Sequence, residues 1–399
     1  MGYNKNRMSI EEVLNRGVAE VIVADFLRRK LKSGKKLRVK FGIDPTAPDL
    51  HFGHAVVLRK LRQFQDLGHL AVLIIGDFTA QIGDPSDKQK TRLPLTAAEV
   101  KQNAKTYLEQ AYRILDPEKT EVHRQSEWFS NFDLKKVFKL LSKATVKQLL
   151  EHETFSLRLK KDLPLSLHEL IYPLLQGYDS LMLRADLELG GTDQKFNLLM
   201  GREIQKAFGQ KSQDILTLQY LIGLDGKEKM GKSLKNYIAL NDLPSEMYGK
   251  VMSIPDDLIL QYFELLTDVK EKALKIIQKE LKTKSRNPRE IKSKLAKLLV
   301  ETFYDALDAE KTEAEFNRVF RQKEIPTKLT TVALAKKTWL LVDLLVKLKL
   351  AASKSAARRL LQQGGVRINS QVVGQEGKIT VSNGWVIQAG KRRFVKIKV

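Results

Sequence analysis

A strand–helix–strand unit near the start of the chain constrains the fold more than any other feature. Residues 37–43 alternate between apolar and other side chains, as a half-buried strand does. A loop with two prolines, DPTAPDLHFGH, leads into residues 57–67, where apolar side chains recur at helical spacing until Gly68. A second apolar strand, AVLIIG, follows at once. This unit predicts a right-handed parallel crossover and an α/β fold, with ligands at the strand end that opens into the proline loop.

The rest of the chain is assigned more coarsely. We interpret Ser9 to Ser33 as a helical entry, and about Pro94 to Pro164 as an all-helical insertion into the sheet. The sheet resumes around Ser180 to Leu189, and Leu243 to about Val319 is helical and charged. The run IPTKLTT is typical of a linker, and two helical stretches and several short strands follow it.

Composition excludes several classes of protein. The chain has 399 residues, 43% of them hydrophobic and 29% charged, which indicates a globular protein of two or three domains. The absence of Cys excludes disulfides, Cys-ligated zinc and thiol catalysis. The N-terminal residues lack the apolar stretch of a signal peptide, and no apolar run approaches the length of a membrane span. We therefore expect a cytoplasmic protein without a membrane partner.

The charge of the chain is large and uneven. Lys and Arg number 70 against 47 Asp and Glu, for a net charge of +23. From Trp339 to Val399 there are 12 basic residues and two acids, Asp343 and Glu376. Such a basic terminal segment points to a polyanionic partner such as nucleic acid or a membrane surface, although a basic segment also favours solubility.

Two short motifs carry groups that can bind phosphate. In HFGH, His51 and His54 lie on one face of a helix at its N-terminus, where free N–H groups already attract anions. Metal binding is one alternative, although no third ligand lies at suitable local spacing. Two histidines that are merely on the surface or packed in the core are another. In KMGKS, Lys229 and Lys232 lie on a short loop and can reach phosphates, although a solvated loop is an equally ordinary interpretation.

Two Gly/Asp loops and one helical face suggest binding of a nucleotide and a small polar molecule. The loops are IGDPSDKQKTR and GGTDQ, in which glycine lets the backbone approach a nucleotide and a carboxylate can bind a ribose hydroxyl or an ammonium group. Ordinary turns are the alternative. In YPLLQGYDS, Tyr172, Gln176 and Asp179 share one helical face among apolar neighbours, where they could bind a zwitterion that carries a hydroxyl.

The order of these motifs along the chain is more specific than any one of them. HFGH, IGDPS, YPLLQGYDS, GGTDQ and KMGKS together resemble the tyrosyl branch of the class I aminoacyl-tRNA synthetases. The resemblance runs from about Leu37 to the C-terminus. It implies activation of tyrosine with ATP to tyrosyl-adenylate, and transfer of tyrosine to the terminal adenosine of tRNA-Tyr.

The resemblance assigns a role to each matching residue. Groups that would contact ATP and its α-phosphate are His51, His54, Thr46 and Gly53. Groups that would hold the pyrophosphate are Lys229, Lys232, Ser233, Lys88 and Arg92. The ribose would contact Asp193, Gly191 and Asp44. The tyrosine ammonium would contact Asp84, Tyr172 and Gln176, with Asp179 at the phenol and Gln194 near the carboxyl group. Mg²⁺ would arrive with ATP, and no protein-bound metal is expected.

The terminal run SKSAARRLLQQGGVRINSQVV resembles a small RNA-binding domain shared by a ribosomal small-subunit protein and bacterial tyrosyl enzymes. Its candidate RNA-binding residues are Ser353, Lys354, Arg358, Arg359 and Arg367. The predicted domains are a Rossmann-like parallel-sheet catalytic domain (1–240, helical insertion about 94–164), an α-helical anticodon-side domain (241–325), a linker (326–338) and a small basic α+β RNA-binding domain (339–399). The insertion would form the interface of a homodimer.

The chain departs from the family pattern at a few positions. Lys40 stands where a Tyr that helps to bind the substrate phenol is frequent, and Phe41 stands where some members have a Cys. Phe52 replaces the usual Ile, and Gly231 replaces a common Ser. Three other functions compete: a tryptophanyl enzyme on the same fold, a non-catalytic RNA-binding protein, and an RNA-modifying enzyme with the same terminal domain.

Overall fold

The computed structural model describes residues 8–86, 95–320, 322, 324–325, 329–335, 337–390 and 393–399. The described residues form two compact units, one up to Asp305 and the other from Ala306 onward.

A six-stranded sheet organises the first unit. Its strands are β1 (Val18–Ile22), β2 (Arg38–Ile43), β3 (Leu70–Ile75), β4 (Thr120–Arg124), β5 (Leu187–Gly191) and β6 (Asp214–Leu218). They lie in the order β1-β6-β5-β2-β3-β4, and every neighbouring pair is parallel except β1 with β6. Strand β2 therefore lies between β3, which follows it in the chain, and β5, which comes much later. This change of direction marks where ligands bind in open α/β sheets.

Sixteen α-helices surround this sheet in the described part of the first unit. They are α1 (Ile10–Asn15), α2 (Ala24–Lys32), α3 (Phe52–Asp66), α4 (Thr79–Ile82), α5 (Ala97–Ala104), α6 (Tyr107–Ala111), α7 (Ser126–Phe129), α8 (Leu134–Leu141), α9 (Val146–Leu149), α10 (Glu153–Lys160), α11 (Leu167–Met182), α12 (Lys195–Ala207), α13 (Pro244–Met252), α14 (Ile259–Leu266), α15 (Glu271–Thr283) and α16 (Pro288–Phe303). Short 3₁₀ turns occur at Pro117–Lys119, Thr192–Gln194, Lys232–Leu234 and Asp256–Leu258.

The predicted crossover is confirmed as β2, α3 and β3. Helix α3 buries Leu58, Leu61 and Phe64 completely, which joins it to the sheet through the apolar positions that the helical spacing indicates. The helix ends where Gly68 takes a φ of 98°, a backbone conformation that glycine adopts without steric cost. The predicted α/β fold class is confirmed.

Two of the helical predictions were wrong because each segment contains a strand. Within Ser9–Ser33, Gly17 ends the first helix at a φ of 65°, and the residues after it form β1 along the edge of the sheet. Within the supposed all-helical insertion, Thr120–Arg124 forms β4 and pairs with β3. Pairing with an existing sheet edge outweighs weak local preference for helix or strand.

The return of the sheet was placed too early. Ser180 belongs to α11, and the strand begins only at Leu187. Helix α11 packs closely on α12 because Gly177 has no side chain: a Cβ there would lie 3.2 Å from the carbonyl oxygen of Met200. This contact fixes the helix that carries Tyr172, Gln176 and Asp179.

The described part of the second unit contains three helices and two small sheets. The helices are α17 (Ala306–Phe320), α18 (Leu341–Lys347) and α19 (Lys354–Gln362), and the strands are β7 (Thr330–Ala333), β8 (Thr338–Leu340), β9 (Val366–Ile368), β10 (Gln371–Val372), β11 (Lys378–Thr380), β12 (Val386–Ala389) and β13 (Arg393–Lys398). The sheet orders are β10-β9-β12-β13-β7 and β11-β8. Leu341, Leu344, Leu345 and Ile387 are fully buried in the core of this unit.

The predicted linker contains a strand that the sequence did not indicate. Thr330 to Ala333 pair in parallel with β13, so this run completes a sheet instead of crossing solvent. The two predicted helical stretches and the short strands predicted after them are present as α18, α19, β9, β10, β12 and β13, and β11 was not predicted. Among the described residues, no helix has both the length and the apolar character needed to cross a membrane.

Candidate active site

A cavity of about 970 Å³ lies where β2 and β5 end. Every candidate site residue of the first unit that the structure describes lines it, and these are Asp44, Thr46, His51, Gly53, His54, Asp84, Tyr172, Gln176, Asp179, Gly191, Asp193, Gln194, Lys229, Lys232 and Ser233. Lys88 and Arg92 lie outside the described residues. The motifs therefore meet in one place although they are far apart in the sequence.

The two histidines of HFGH are held in one tautomer by the backbone. His51 caps α3, and its Nδ1 accepts from the N–H of Gly53 at 3.1 Å. The N–H of His51 donates in turn to Nδ1 of His54 at 3.2 Å. A neutral ring whose Nδ1 accepts carries its proton on Nε2, so both rings can donate through Nε2. Gly53 is required here, because a Cβ would lie 2.8 Å from the ring of His51.

Burial and nearby lysines keep both imidazoles neutral. Burial, followed by the charges of Lys232 and Lys229, lowers the pKa of His51 to about 3. The same causes, together with His51, lower the pKa of His54 well below its ordinary value. Near neutral pH the pair consists of hydrogen-bond donors without charge, while Lys229 and Lys232 supply positive charge beside them.

The KMGKS loop is held from behind by a buried asparagine. The side-chain oxygen of Asn236 accepts from the N–H of Gly231 at 2.8 Å. Its amide group donates to the carboxylate of Asp225 at 2.6 Å and to the carbonyl of Lys229 at 3.2 Å. Asp225 also accepts from the N–H groups of Lys227 and Glu228, each at 3.0 Å. Asn236 therefore connects the lysine loop to the turn that precedes it.

The lysines of this loop reach the two other cavity loops. Lys229 forms an ion pair of 2.7 Å with Asp193 of GGTDQ. Lys232 donates to the hydroxyl of Tyr107 at 3.2 Å and to the carbonyl of Ala47 at 3.3 Å. Tyr107 is buried and itself donates to the Ala47 carbonyl, so it supports both the proline loop and Lys232.

A second group of polar side chains in the cavity consists of Asp44, Asp84, Tyr172 and Gln194. The hydroxyl of Tyr172 donates to Asp44 at 2.9 Å, and burial followed by the Asp44 charge raises the pKa of Tyr172 well above its usual range. Asp84 accepts from the amide of Gln194 at 2.6 Å. Gly76 has no side chain where Asp44 approaches, since a Cβ would lie 1.9 Å from its carboxylate. Carboxylates and hydroxyls so arranged can accept hydrogen bonds from an ammonium group.

Asp179 is a buried carboxylate held by two donors. Its oxygens accept from the amide of Gln125 at 2.7 Å and from the indole N–H of Trp128 at 3.1 Å. Burial raises the pKa of Asp179 to about 7, against the lowering effects of Lys40, Gln125 and Trp128. A hydroxyl that donates to this carboxylate would compensate part of the cost of burying its charge.

Sequence reasoning missed the residues that support the predicted ones. Gln125 and Trp128 follow β4, and that strand was hidden within a supposed helical segment. A prediction of β4 would have singled out Gln125, because ligand-binding residues follow the carboxyl ends of parallel strands. Tyr107 and Asn236 have no local signal, because each acts on a motif through contacts that only the folded chain creates.

The departures from the family pattern have structural explanations. Phe52 is fully buried and stacks on Phe303 with 5.3 Å between ring centres, so it belongs to the core beneath α3. Gly231 is extended, and a Cβ there would meet only the carbonyl of Lys229, at 3.8 Å. Phe41 is buried and lines the cavity. Lys40 also lines the cavity, fully buried beside Glu188.

The terminal unit presents the predicted basic residues around α19. Ser353 caps this helix and accepts from the N–H of Ala356 at 3.2 Å. Lys354 pairs with Asp343 at 2.8 Å, and Arg358 pairs with Glu376 at 2.9 Å. The two acids of the last 61 residues are thus both engaged by candidate RNA-binding residues. Exposed ion pairs of this kind are weak, so a phosphate can replace them.

The fold and the site together define a class of protein. The cavity lies where the strand order of a parallel sheet reverses. It combines neutral histidines at a helix N-terminus with a loop that carries lysines, and such a site is suited to a nucleoside triphosphate. Residues 32–321 match the family described as tRNA synthetases class I (W and Y), and residues 340–380 match the S4 domain. The chain belongs to the class I tRNA synthetases, within the family of tyrosine–tRNA ligases.

Full-length relatives support this membership. The chain is 51% identical to a tyrosine–tRNA ligase of Dehalococcoides mccartyi, with 98% of this chain and 99% of the relative covered. It is 48% identical to a tyrosine–tRNA ligase of Thermotoga maritima, with 97% and 96% covered. A solved structure, the C-terminally truncated mitochondrial tyrosyl-tRNA synthetase of Aspergillus nidulans, superposes with a TM-score of 0.65 at 21% identity, covering 78% of this chain and 93% of that one. At that identity the likeness shows the fold alone.

Proposed function

We propose that this chain is a tyrosine–tRNA ligase that uses ATP to make tyrosyl-adenylate and transfers tyrosine to the terminal adenosine of tRNA-Tyr. One observation carries this proposal. The buried carboxylate of Asp179, with two fixed donors, lines the same cavity as the neutral histidines and the KMGKS lysines. The relatives at 51% and 48% identity, which match over nearly their full length, are tyrosine–tRNA ligases.

The carboxylate-rich part of the cavity would bind tyrosine. Asp84, Tyr172 and Gln176 would accept from the ammonium group, and Gln194 would lie near the carboxyl group. Asp179 would accept from the phenol hydroxyl. Phenylalanine would leave Asp179 without that donor in a buried position, which costs about 1–3 kcal/mol or more for a charged group.

The chemistry needs no protein nucleophile. The tyrosine carboxylate attacks the α-phosphorus of ATP, the bond to the bridging oxygen breaks, and pyrophosphate leaves. His51 and His54 would donate through Nε2 to the phosphate oxygens as charge builds there, with Thr46 beside them and Gly53 allowing close approach. The protein contributes position and fixed donors, which lower the barrier without reorganisation during the reaction.

The ribose and the lysine loop would be coupled through Asp193. In the structure Asp193 accepts from Lys229. A ribose that binds Asp193, Gly191 and Asp44 would take over that carboxylate and release Lys229 toward the departing pyrophosphate. Lys232 and Ser233 would contact the same pyrophosphate, and Lys88 and Arg92 would join them. Mg²⁺ would be held mainly by the phosphates, because it dehydrates reluctantly and prefers phosphate oxygens and water.

Transfer requires the tRNA, and the terminal unit would provide part of its binding surface. Ser353, Lys354, Arg358, Arg359 and Arg367 would contact phosphates, which fix position more than sequence. We propose the domain boundaries 1–240, 241–325, 326–338 and 339–399, with the helical domain facing the anticodon and with β7, within 326–338, joining the sheet of the terminal domain. A chain that charges tRNA for protein synthesis would act in the cytoplasm.

A homodimer is part of the proposal. The predicted insertion exposes large apolar side chains, and Leu134, Phe138 and Val146 are 68%, 62% and 66% exposed. Several exposed apolar side chains on one segment favour a protein interface. The predicted insertion would therefore bury this surface against a second copy.

Amino-acid-dependent exchange of labelled pyrophosphate into ATP tests the activity. The wild-type chain is assayed with tyrosine, phenylalanine and tryptophan in parallel, with Lys232→Ala as a matched variant. We expect exchange with tyrosine alone, and Lys232→Ala should slow exchange far more than it weakens tyrosine binding. Exchange with tryptophan would overturn the amino-acid specificity, and equal losses of exchange and binding in Lys232→Ala would assign the loop a structural role only.

A further inference from the structure

Lys40 is a buried cation at the centre of the sheet. It lies on β2, is fully buried and lines the cavity. Its ammonium group has three hydrogens and three acceptors: Glu188 at 2.8 Å, the hydroxyl of Ser180 at 2.7 Å and the carbonyl of Gln176 at 3.0 Å. A buried ammonium group whose three hydrogens are all bonded to the protein has a fixed position.

Glu188, on β5, receives hydrogen bonds on both oxygens. One oxygen accepts from Lys40 and from the amide of Gln176 at 3.2 Å. The other accepts from the hydroxyl of Ser180 at 2.9 Å and from the amide of Gln213. Gly201 of α12 leaves the space for this arrangement, since a Cβ there would lie 2.5 Å from the Gln213 amide.

The pair touches the side chain that would bind the tyrosine ammonium. Because the amide nitrogen of Gln176 donates to Glu188, its carboxamide oxygen is the end that faces away from Glu188. Gln176 lines the cavity, so this oxygen is the acceptor available to an ammonium group. Without Glu188, nothing in this network distinguishes the two ends of the carboxamide.

The pair also acts on the carboxylate that would bind the phenol. Asp179 lies on α11 between Gln176 and Ser180, the residues that Lys40 contacts. The groups acting on Asp179 are Lys40 from β2, Glu188 from β5, Tyr172 on its own helix, and the neutral donors Gln125 and Trp128. Lys40 lowers the pKa of Asp179 more strongly than Glu188 raises it, so the pair as a whole favours the anion.

We propose that the Lys40–Glu188 ion pair is a positioning element for both polar ends of tyrosine: it orients the Gln176 carboxamide toward the ammonium group and holds Asp179 as the anion that accepts from the phenol. This inference rests on the proposed activation of tyrosine. All three hydrogen bonds of the Lys40 ammonium group go to the protein, so in this role Lys40 acts through Gln176 and Asp179. Where other members of the family have a Tyr that helps to bind the phenol, this chain has Lys40, which instead acts on the phenol-binding carboxylate of Asp179.

The pH dependence of kcat/KM for tyrosine distinguishes this role from a purely structural one, because it reports ionisation in the free enzyme. Pyrophosphate exchange is measured from about pH 5.5 to about pH 8.5 for the wild type, Lys40→Met, Glu188→Met and the double variant. In the wild type kcat/KM should rise with pH as Asp179 ionises, because its pKa lies at about 7.

The inference fixes the direction of change in each variant. In Lys40→Met the midpoint of the profile should move to higher pH by roughly half a unit or more, because the anion loses its cation. In Glu188→Met the midpoint should move to lower pH, and KM for tyrosine should rise while KM for ATP stays within about twofold, because Gln176 loses its orienting acceptor. The double variant should show an upward shift smaller than that of Lys40→Met.

Two controls separate charge from folding. The double variant has no unpaired buried charge, so it keeps the test valid if Lys40→Met fails to fold. Lys60→Met removes another buried ammonium group, one that donates to the carbonyls of Val13 and Arg16 and does not line the cavity. Lys60→Met should leave the midpoint unchanged. Restoring charge by Lys40→Arg should return the midpoint toward the wild-type value.

The outcomes separate this inference from the proposed function. A wild type without tyrosine-dependent exchange would overturn the function itself. Suppose that the wild type shows tyrosine-dependent exchange and that Lys40→Met, the double variant and Lys60→Met all keep the wild-type midpoint. That result would overturn the positioning role of the pair and leave the function intact. A midpoint that moves as far in Lys60→Met as in Lys40→Met would also overturn it.

Discussion

Replacing Asn236 with alanine should uncouple the KMGKS loop from its support. The change removes the bond from Gly231 at 2.8 Å, the bond to Asp225 at 2.6 Å and the longer bond to Lys229 at 3.2 Å. Neutral bonds contribute about 0.5–1.5 kcal/mol each and a bond to a charged group about 1.5–3 kcal/mol. With two neutral bonds and one bond to a carboxylate, the loop would then lose about 2.5–6 kcal/mol of its preference for the observed position.

The loss should appear in the chemical step, because the loop lysines act on charge that develops in the transition state. Each 1.36 kcal/mol of lost stabilisation is about tenfold in rate, so kcat for exchange should fall by about 70-fold or more. KM for tyrosine should stay within about twofold, since Asn236 does not contact the groups proposed to bind tyrosine.

The assay is pyrophosphate exchange at saturating ATP, with tyrosine binding measured separately by equilibrium dialysis. Asn241→Ala is the matched control: this nearby asparagine is exposed and makes one bond of 3.3 Å to Asp49. It should leave kcat within about twofold, because surface substitutions of this kind have small effects. An unchanged kcat in Asn236→Ala, or an equal loss of tyrosine binding, would refute the reasoning.

Three further predictions concern ionisation and the terminal unit. The pKa of Asp179 is about 7 in the folded chain against an ordinary 3.8. The ionised carboxylate therefore lowers the free energy of unfolding, and this loss grows as the pH rises between those two values. Asp179→Asn should therefore gain about 3 kcal/mol on the wild type between about pH 5 and about pH 8.5. Urea unfolding followed by Trp128 fluorescence checks this, and a pH-independent gap would contradict it. His51 and His54 should keep the NMR shifts of neutral imidazole down to about pH 5, since burial lowers both pKa values; a midpoint above that pH would contradict their assignment as neutral donors. A chain that ends at Ile325 should keep exchange but lose tRNA charging, more so at higher salt; full charging would remove the RNA role of the terminal unit.

The sequence predicted the site better than its surroundings. HFGH begins α3 and GGTDQ comes at the end of β5, so the local spacing of these two candidate motifs already indicates where they lie on an α/β sheet. Strands β1 and β4 were missed because each is five residues long and lies at an edge of the sheet, where pairing with β6 or β3 decides the structure. Long-range pairing leaves little trace in a short run of sequence.

The supporting residues could not be predicted for a related reason. Gln125 is significant only because α11 brings Asp179 within 2.7 Å of its amide. Lys40 stands out in the sequence as a departure from the family pattern, but its partners lie 136 to 148 positions later in the chain. Their role follows from burial and hydrogen bonding, and these are properties of the folded chain.

Charging of unfractionated tRNA by the full-length chain tests the central claim most directly. The chain is incubated with ATP, Mg²⁺ and labelled tyrosine, phenylalanine or tryptophan in separate reactions, and label in acid-precipitable tRNA is measured. The account predicts that only tyrosine is attached, and that attachment requires ATP. Attachment of tryptophan, or absence of attachment by a folded chain that binds tRNA, would contradict it.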